Sequence, residues 1–329
     1  MASARTRKIV VLGLLNLGNL IPAVILIMLG QPGLSLALVF GSAVGITGLM
    51  FSARLGVGLA LAAGASAAVL SLLHPYPLAG GVVFGLLTGA AAYTSRRGLH
   101  SAAMMVPLFT SFILIAPISV PGSSSTLVAA LLSGAAFTAG GLWVVVLAKL
   151  LLGEHLPSAT PRPVHPTTSI IYAVISGLIV GIAAGILLWV FPRQPGAWLL
   201  LTLLILLQPD PHDSWRKTIQ RLGGTIAGGL VSLIFVIVPL PSAVTLSLGV
   251  VLLFAAFVVR FALHRPYWQY VIPLTVAAVL LDSTEADRAD IALDRVAFTL
   301  IGGIATIGVA LAVKAVIDYR DRAASTDTA

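Results

Sequence analysis

Residues 170–190 read IIYAVISGLIVGIAAGILLWV, an apolar run that contains no charged side chain. A second run of the same kind extends from Ile9 to Met28. A helix that crosses a bilayer needs about 20 mainly apolar residues, and inside lipid its backbone groups must pair within the segment. The strands of a membrane barrel alternate apolar and polar residues, which these runs do not. The sequence therefore predicts an all-α integral membrane protein.

The composition of the whole chain supports this assignment. Of its 329 residues, 58% are hydrophobic and 9% are charged, whereas soluble domains carry about 25% charged residues. The net charge of +8 comes from basic residues that lie singly or in small groups between apolar segments, so nucleic-acid binding is the weaker interpretation. The lack of cysteine excludes disulfides, thiolate metal ligands and a cysteine nucleophile.

Polar, Pro-rich and Gly-rich breaks divide the chain into twelve predicted helices. They cover approximately residues 9–29, 34–50, 53–73, 78–94, 101–119, 125–151, 169–191, 196–208, 218–240, 243–262, 267–282 and 290–317. We therefore expect two six-helix halves, at residues 1–152 and 169–317. A Pro-rich cytoplasmic linker (153–168) joins them, and a disordered cytoplasmic tail (318–329) follows the second half. The basic run at residues 5–8 resembles the start of a signal peptide. No clear cleavage site follows it, so we assign the first apolar run to a transmembrane helix.

The distribution of basic residues predicts the orientation. With the N-terminus in the cytoplasm, sixteen of the 19 Lys and Arg residues fall in predicted cytoplasmic segments. The other three, Arg193, Arg288 and Arg295, fall on the outer side. Cytoplasmic loops of membrane proteins are enriched in Lys and Arg. The asymmetry therefore favours an even number of spans, with both termini on the cytoplasmic side of the plasma or inner membrane.

A motif recurs within the second half of the chain. Its Arg, Thr and paired Gly positions repeat at an offset of 74 residues. The first copy contains Trp198, Thr202, Asp210, Arg221, Thr225, Gly228 and Gly229, and the second contains Trp268, Thr275, Asp282, Arg295, Thr299, Gly302 and Gly303. A weaker echo without the arginine lies at residues 137–141. The offset spans three predicted helices, and an odd number reverses the direction of the second copy. The motif therefore predicts an inverted three-helix repeat, an arrangement typical of secondary transporters.

The predicted helices 196–208 and 267–282 occupy matching places in the two copies. Their uninterrupted apolar cores, Leu203–Leu207 and Val276–Leu281, are much shorter than a full span. Each helix ends in polar residues. Short hydrophobic segments in corresponding positions of two repeats are the best sequence indication of a transport site.

The charged residues of the motif suggest an organic anion as substrate. A carboxylate needs a fixed positive partner in the bilayer, and arginine stays charged and offers a bidentate fork. The predicted substrate-binding residues are Arg221, Arg295, Thr225, Thr299 and Trp198. The predicted arginine partners or proton relays are Asp210, Asp282 and Asp294. No catalytic residue, metal site or cofactor is predicted, because the sequence lacks a GxxxxGK[ST] loop, an HExxH pair and a GxSxG elbow.

Structural roles can also explain the same residue types. An arginine near a helix start often reaches out to lipid headgroups, and paired glycines allow close helix packing. Thr225 and Thr299 can bond to their own helix. Trp198, Tyr267 and Trp268 can stack on a substrate ring or belong to the aromatic belt at the membrane interface.

The chain resembles the fusaric-acid-resistance-like (FUSC) proteins of the aromatic acid exporter superfamily over approximately residues 169–317. The residues that carry the resemblance are Trp198, Thr202, Pro209, Asp210, Arg216, Lys217, Arg221, Gly224, Thr225 and Gly228. The resemblance implies a membrane transporter that exports aromatic carboxylates or related organic anions. More distantly, the chain is similar to plant aluminium-activated malate channels, which implies an anion pathway and allows a homodimer.

Two other functions remain open at this point. A passive organic-anion channel would need the same arginines without alternating access. A membrane enzyme that acts on lipid or envelope material would use the polar segment Asp282–Arg295, which is otherwise a solvated loop. The partners that we expect are a small organic anion and the lipid bilayer, and no nucleic acid.

Overall fold

The described part of the chain is helical and contains no strand. The computed structural model describes residues 18, 20–121, 125–152, 159–190, 195–238, 240–257, 259, 265–282, 293, 296–308 and 311. Residues 20–28 are helical. They are followed by α1 (Pro32–Leu49), α2 (Ala53–Leu73), α3 (Pro77–Tyr93), α4 (His100–Ala103), α5 (Met105–Ile115), α6 (Thr126–Leu152), α7 (Pro166–Val190), α8 (Pro195–Leu206), α9 (Pro211–Ile237), α10 (Ser242–Phe257), α11 (Tyr267–Asp282) and α12 (Val296–Gly308). A short 3₁₀ turn, Thr94–Arg97, follows α3.

Five of these helices begin at a proline: α1, α3, α7, α8 and α9. Proline suits the first helical position because its φ is already helical and its missing N–H would have no helical partner there. This explains two differences from the sequence prediction. The helix α7 begins at Pro166, three residues inside the predicted linker. The helix α9 begins at Pro211 rather than at residue 218, because its first turns are polar and hydropathy does not mark them.

The lengths of the helices confirm part of the predicted architecture. Among the described residues, six helices are long and apolar enough to cross a membrane. They are Pro32–Leu49, Ala53–Leu73, Pro77–Arg97, Thr126–Leu151, Pro166–Val190 and Trp215–Phe235. The helices α8 and α11 have 12 and 16 residues. At 1.5 Å per residue they measure about 18 and 24 Å, less than the roughly 30 Å of a hydrocarbon core. The arrangement with twelve spans stays a prediction.

The chain divides into two compact units, residues 1–204 and 205–329. This division does not coincide with the predicted linker, because α7 packs along α3 within the first unit. Glycines allow the close approach. A Cβ atom at Gly81 would lie 2.7 Å from the Gly181 oxygen, and one at Gly85 would lie 2.7 Å from the Gly177 oxygen. Higher residue numbers in α3 pair with lower ones in α7, so the two helices are antiparallel.

In the first unit, the helix α6 packs against both α1 and α2. Gly41 and Gly45 of α1 contact Phe137 and Gly141 of α6 in rising order, so these two helices are parallel. The helix α2 is antiparallel to α6, with Gly56 against Val145 and Gly64 against Gly134. These relative directions agree with the alternation that the predicted spans require.

The linker lies along one end of the first unit. The Ala159 N–H donates to the Met50 oxygen at 2.7 Å, and the Val164 N–H donates to the Ser95 oxygen at 3.0 Å. Met50 and Ser95 follow α1 and α3, in connections that the sequence assigns to the cytoplasm. The described part of the linker and these two connections therefore share one end of the unit.

The second unit contains α9, α10 and α11, and α11 packs against each of the other two. A Cβ atom at Gly224 of α9 would lie 2.7 Å from the Val271 Cβ, and one at Gly228 would lie 2.7 Å from the Thr275 Cβ. The offset between the two helices is 47 residues at both contacts. The helices α9 and α11 are therefore parallel and in close contact.

Candidate functional site

Three polar residues lie at intervals of four along one face of α9: Lys217, Arg221 and Thr225. Residues at this spacing are neighbours on a helix surface. Arg221 is 5% exposed and Thr225 is 4% exposed, whereas Lys217 is half-buried. Arg221 is the eleventh residue of α9, which places it about 15 Å along the helix from Pro211. The structure thus places the guanidinium well inside the helix packing.

The hydrogen bonds of Arg221 leave part of its guanidinium unused. Its Nη1 donates to the Tyr267 hydroxyl at 3.1 Å. Its Nε is buried and has no hydrogen-bond partner among the described residues. Within the described parts of the chain, no carboxylate pairs with Arg221. A buried charge without a counter-ion costs free energy, so binding of an anion at this position would be stabilising.

The packing of α9 on α11 explains why Tyr267 reaches Arg221. The contacts of Gly224 and Gly228 fix the two helices at an offset of 47 residues, and Tyr267 lies 46 residues after Arg221. A Cβ atom at Gly228 would also lie 2.8 Å from the Ile272 oxygen. The interpretation of these glycines as packing residues therefore agrees with their surroundings.

Gln208 connects the end of α8 to Lys217. Its Nε2 donates to the Ile205 and Leu207 oxygens at 2.9 and 3.0 Å, which satisfies carbonyl groups at a helix end. Its Oε1 accepts from the Lys217 Nζ at 2.7 Å. Lys217 therefore donates to a side-chain amide, and Arg221 donates to a hydroxyl.

The threonines of the motif lie where α9 meets α12. A Cβ atom at Gly229 would lie 3.1 Å from the Val296 Cγ2, and one at Gly303 would lie 3.2 Å from the Leu222 Cδ2. Thr225 and Thr299 fall between the two contacts in their own helices, and each is 4% exposed. The structure therefore buries both predicted threonines at this helix contact.

The other predicted residues lie in different surroundings. Trp198 belongs to the first unit, where its ring packs edge to face on Phe112 with the centroids 5.3 Å apart. Asp210 is exposed in the turn between α8 and α9. Asp282 is the last residue of α11, and its side chain lies outside the described part of the structure, as do Asp294 and Arg295. Their roles stay predictions.

The structure bears on the alternative roles of three residues. An arginine that reaches out to lipid headgroups would be exposed, and Arg221 is buried. Trp268 is 42% exposed, which suits the aromatic belt better than a substrate site. The Thr202 hydroxyl donates to the Trp198 oxygen at 2.8 Å, so this threonine bonds to its own helix. The polar segment that an enzyme would use, Asp282–Arg295, lies almost wholly outside the described residues.

Sequence reasoning missed the partners of the two cations. The sequence marks the end of the helix at residues 196–208 only as polar, and it marks Tyr267 only as a ring for stacking. Lys217 could have been found, because it precedes Arg221 by four residues on the same helix face. The pairing of Arg221 with Tyr267 depends on the register between α9 and α11, for which the sequence gives no signal.

The comparisons with known proteins agree with these motifs. Residues 183–309 match a family model described as fusaric acid resistance protein-like. The matched region runs from the second half of α7 to the end of α12 and includes Arg221, Lys217, Gln208 and Tyr267. No curated protein and no solved structure gives a significant match. The resemblance that the sequence motifs indicated is therefore confirmed over this region.

Proposed function

We propose, because residues 183–309 belong to the fusaric acid resistance-like family, that the chain is a secondary transporter of the plasma or inner membrane that exports aromatic carboxylates or related organic anions. The family is one of membrane transporters. The substrate class and the mechanism that we propose rest on the site around Arg221.

The observation that carries the proposal is the buried charge of Arg221, which no carboxylate among the described residues compensates. Tyr267 bonds to Nη1, which is not part of the Nε–Nη2 edge of the guanidinium. That edge offers two parallel N–H donors, the geometry that a carboxylate matches. The buried Nε has no other partner. A bound carboxylate would therefore satisfy this donor and neutralise the buried charge at once.

Aromatic side chains near Arg221 favour a substrate that carries a ring. Tyr267 bonds to Arg221, and its own ring packs against Tyr270 with the centroids 5.8 Å apart and the planes inclined at 41°. Aromatic pairs in such tilted arrangements add about 0.5–1.5 kcal/mol beyond the area that they bury. A ring attached to a carboxylate at Arg221 would find an aromatic surface within reach.

The contacts between α9 and α12 support alternating access. Gly303 lies 74 residues after Gly229, and Leu222 lies 74 residues before Val296. The contacts Gly229–Val296 and Gly303–Leu222 therefore join equivalent positions of the repeat. Two equivalent contacts of this kind are expected when two helices are related by a pseudo-twofold axis. Such an axis lets one repeat rock against the other around a central site, and Thr225 and Thr299 lie closest to it.

Efflux by variants of Arg221 tests the proposal. Loss of one charge-assisted hydrogen bond weakens an interaction by about 1.5–3 kcal/mol, or about 10- to 150-fold in affinity. Arg221→Lys keeps the charge without the fork, so we expect a loss in this range, and Arg221→Ala should abolish efflux. Arg216→Ala, on an exposed position of the same helix, is the matched control.

The measurement is export of a panel of weak aromatic acids from cells that express each variant at an equal membrane level. Normal efflux by both Arg221 variants would contradict the proposal. Stimulation of efflux by external substrate distinguishes a carrier from a channel, because only a carrier returns its site across the membrane.

A further inference from the structure

A cleft lies in the first unit, where α2 begins and α6 ends. Its volume is about 320 Å³, and it is lined by Ala53, Arg54, Val57, Val145 and Lys149. Two cations thus share one opening with three apolar side chains. Both Arg54 and Lys149 are exposed.

The helix packing fixes the cleft. The helices α2 and α6 are antiparallel, and a Cβ atom at Gly56 would lie 3.0 Å from the Val145 Cγ2. This contact brings the first turn of α2 beside the last turns of α6. The N-terminus of α2 is already capped, because the Ser52 hydroxyl accepts the Leu55 N–H at 3.1 Å. The positive character of the cleft therefore comes mainly from its two side chains.

The chain offers these cations almost no acidic partner. Glu154 is the only acidic residue before Asp210, in a stretch that contains nine Lys and Arg residues. Glu154 lies outside the described residues, and no ion pair involves Arg54 or Lys149 within the described part of the first unit. The counter-ion for the cleft is therefore most readily supplied from outside the chain.

The position of the cleft indicates what that counter-ion is. Arg54 follows Met50, whose oxygen bonds to the linker, so the cleft lies at the linker end of the unit. Beside it the apolar side chains of Val146 and Leu150 are 51% and 78% exposed. A free phosphate would use only the charges, whereas a phospholipid would also cover these side chains with its acyl chains.

We propose that this cleft binds the headgroup phosphate of an anionic phospholipid. Arg54 and Lys149 hold the phosphate from two helices, and the acyl chains lie along the exposed side of α6. Basic pockets between helices on the cytoplasmic side of a membrane suit this role. The proposal does not depend on what the protein transports.

Native mass spectrometry of the purified full chain tests the site, with dioleoylphosphatidylglycerol and dioleoylphosphatidylcholine as probes. The wild-type protein should retain the anionic lipid preferentially. Each basic residue near a membrane surface contributes enough to change affinity about fivefold, so Arg54→Gln with Lys149→Gln should reduce binding about thirtyfold. Both positions are exposed, so the variant is expected to fold.

Two control variants distinguish lipid binding in this cleft from non-specific attraction of the lipid to basic residues. Arg96→Gln with Arg97→Gln removes two exposed charges at the same end of the unit but outside the cleft, and it should retain the lipid. Val57→Trp fills the cleft without changing charge and should lose it. Equal loss in both charge variants, or no preference of the wild type for phosphatidylglycerol, would overturn the proposal. Displacement of the lipid by millimolar inorganic phosphate would assign the cleft to free phosphate instead.

Discussion

Two glycines of α9 should respond oppositely to the same substitution. At Gly228 a new Cβ atom would lie 2.7 Å from the Thr275 Cβ and 2.8 Å from the Ile272 oxygen, and neither neighbour is the end of a flexible side chain. At Gly223 nothing lies within 4 Å of the new atom. Both residues are in the helix interior, so alanine adds about 0.8–1.0 kcal/mol of helix propensity at either position.

The steric term decides the sign at Gly228. A carbon–carbon contact is comfortable near 3.5–4.0 Å, so α9 and α11 must separate by about 1 Å, and overpacking of this kind costs about 1–3 kcal/mol. Gly228→Ala should therefore be neutral to destabilising by up to about 2 kcal/mol, and Gly223→Ala stabilising by about 1 kcal/mol. Because Tyr267 belongs to α11, the separation should also weaken its bond to Arg221 and reduce efflux.

Thermal unfolding of the purified variants in detergent, followed by tryptophan fluorescence, measures the difference. We expect the midpoint of Gly223→Ala to rise and that of Gly228→Ala to fall, with efflux reduced only in Gly228→Ala. Equal midpoints and equal efflux in the two variants would refute the close contact between α9 and α11, and with it the placement of Tyr267 beside Arg221.

Two further experiments test the site and the symmetry of the repeat. Tyr267→Phe removes the hydroxyl that holds Arg221, and loss of a hydrogen bond to a charged group should raise the substrate concentration for half-maximal efflux about tenfold. Unchanged kinetics would show that the hydroxyl does not position the guanidinium. The chain has no cysteine, so the two introduced residues are the only cysteines in each double variant. Gly229→Cys with Val296→Cys should form a disulfide, whereas Leu230→Cys with Val296→Cys should not. A carrier should be arrested by the first disulfide, whereas a passive channel should keep its flux.

The sequence predicted those features that depend on hydropathy along the chain. The apolar runs located the helices, and the short cores at 203–207 and 276–281 predicted that α8 and α11 would be short. Hydropathy failed where a helix is polar, so the first two turns of α9 were left out. This omission affected the prediction of the site most, because Lys217 lies in those turns and donates to Gln208.

The part that the sequence could not supply is the register between helices. A shift of one turn between α9 and α11 would move Tyr267 away from Arg221 without changing any hydropathy value. Gly224 and Gly228 set that register through contacts with particular atoms of Val271 and Thr275. Glycines at this spacing indicate that some close contact exists, but not which helix provides it.

The hydroxyl partner of Arg221 has a functional consequence. If a carboxylate of the chain were paired with Arg221, a substrate carboxylate would have to displace it, and binding would depend on protonation of the internal acid. Tyr267 holds Arg221 without neutralising it, and no carboxylate among the described residues pairs with this guanidinium. Within the described residues, the empty site therefore keeps a buried positive charge at a cost in free energy, and an anion that binds at Arg221 removes that cost. In the carrier that we propose, this arrangement favours closure of the site around a bound anion over closure around an empty site.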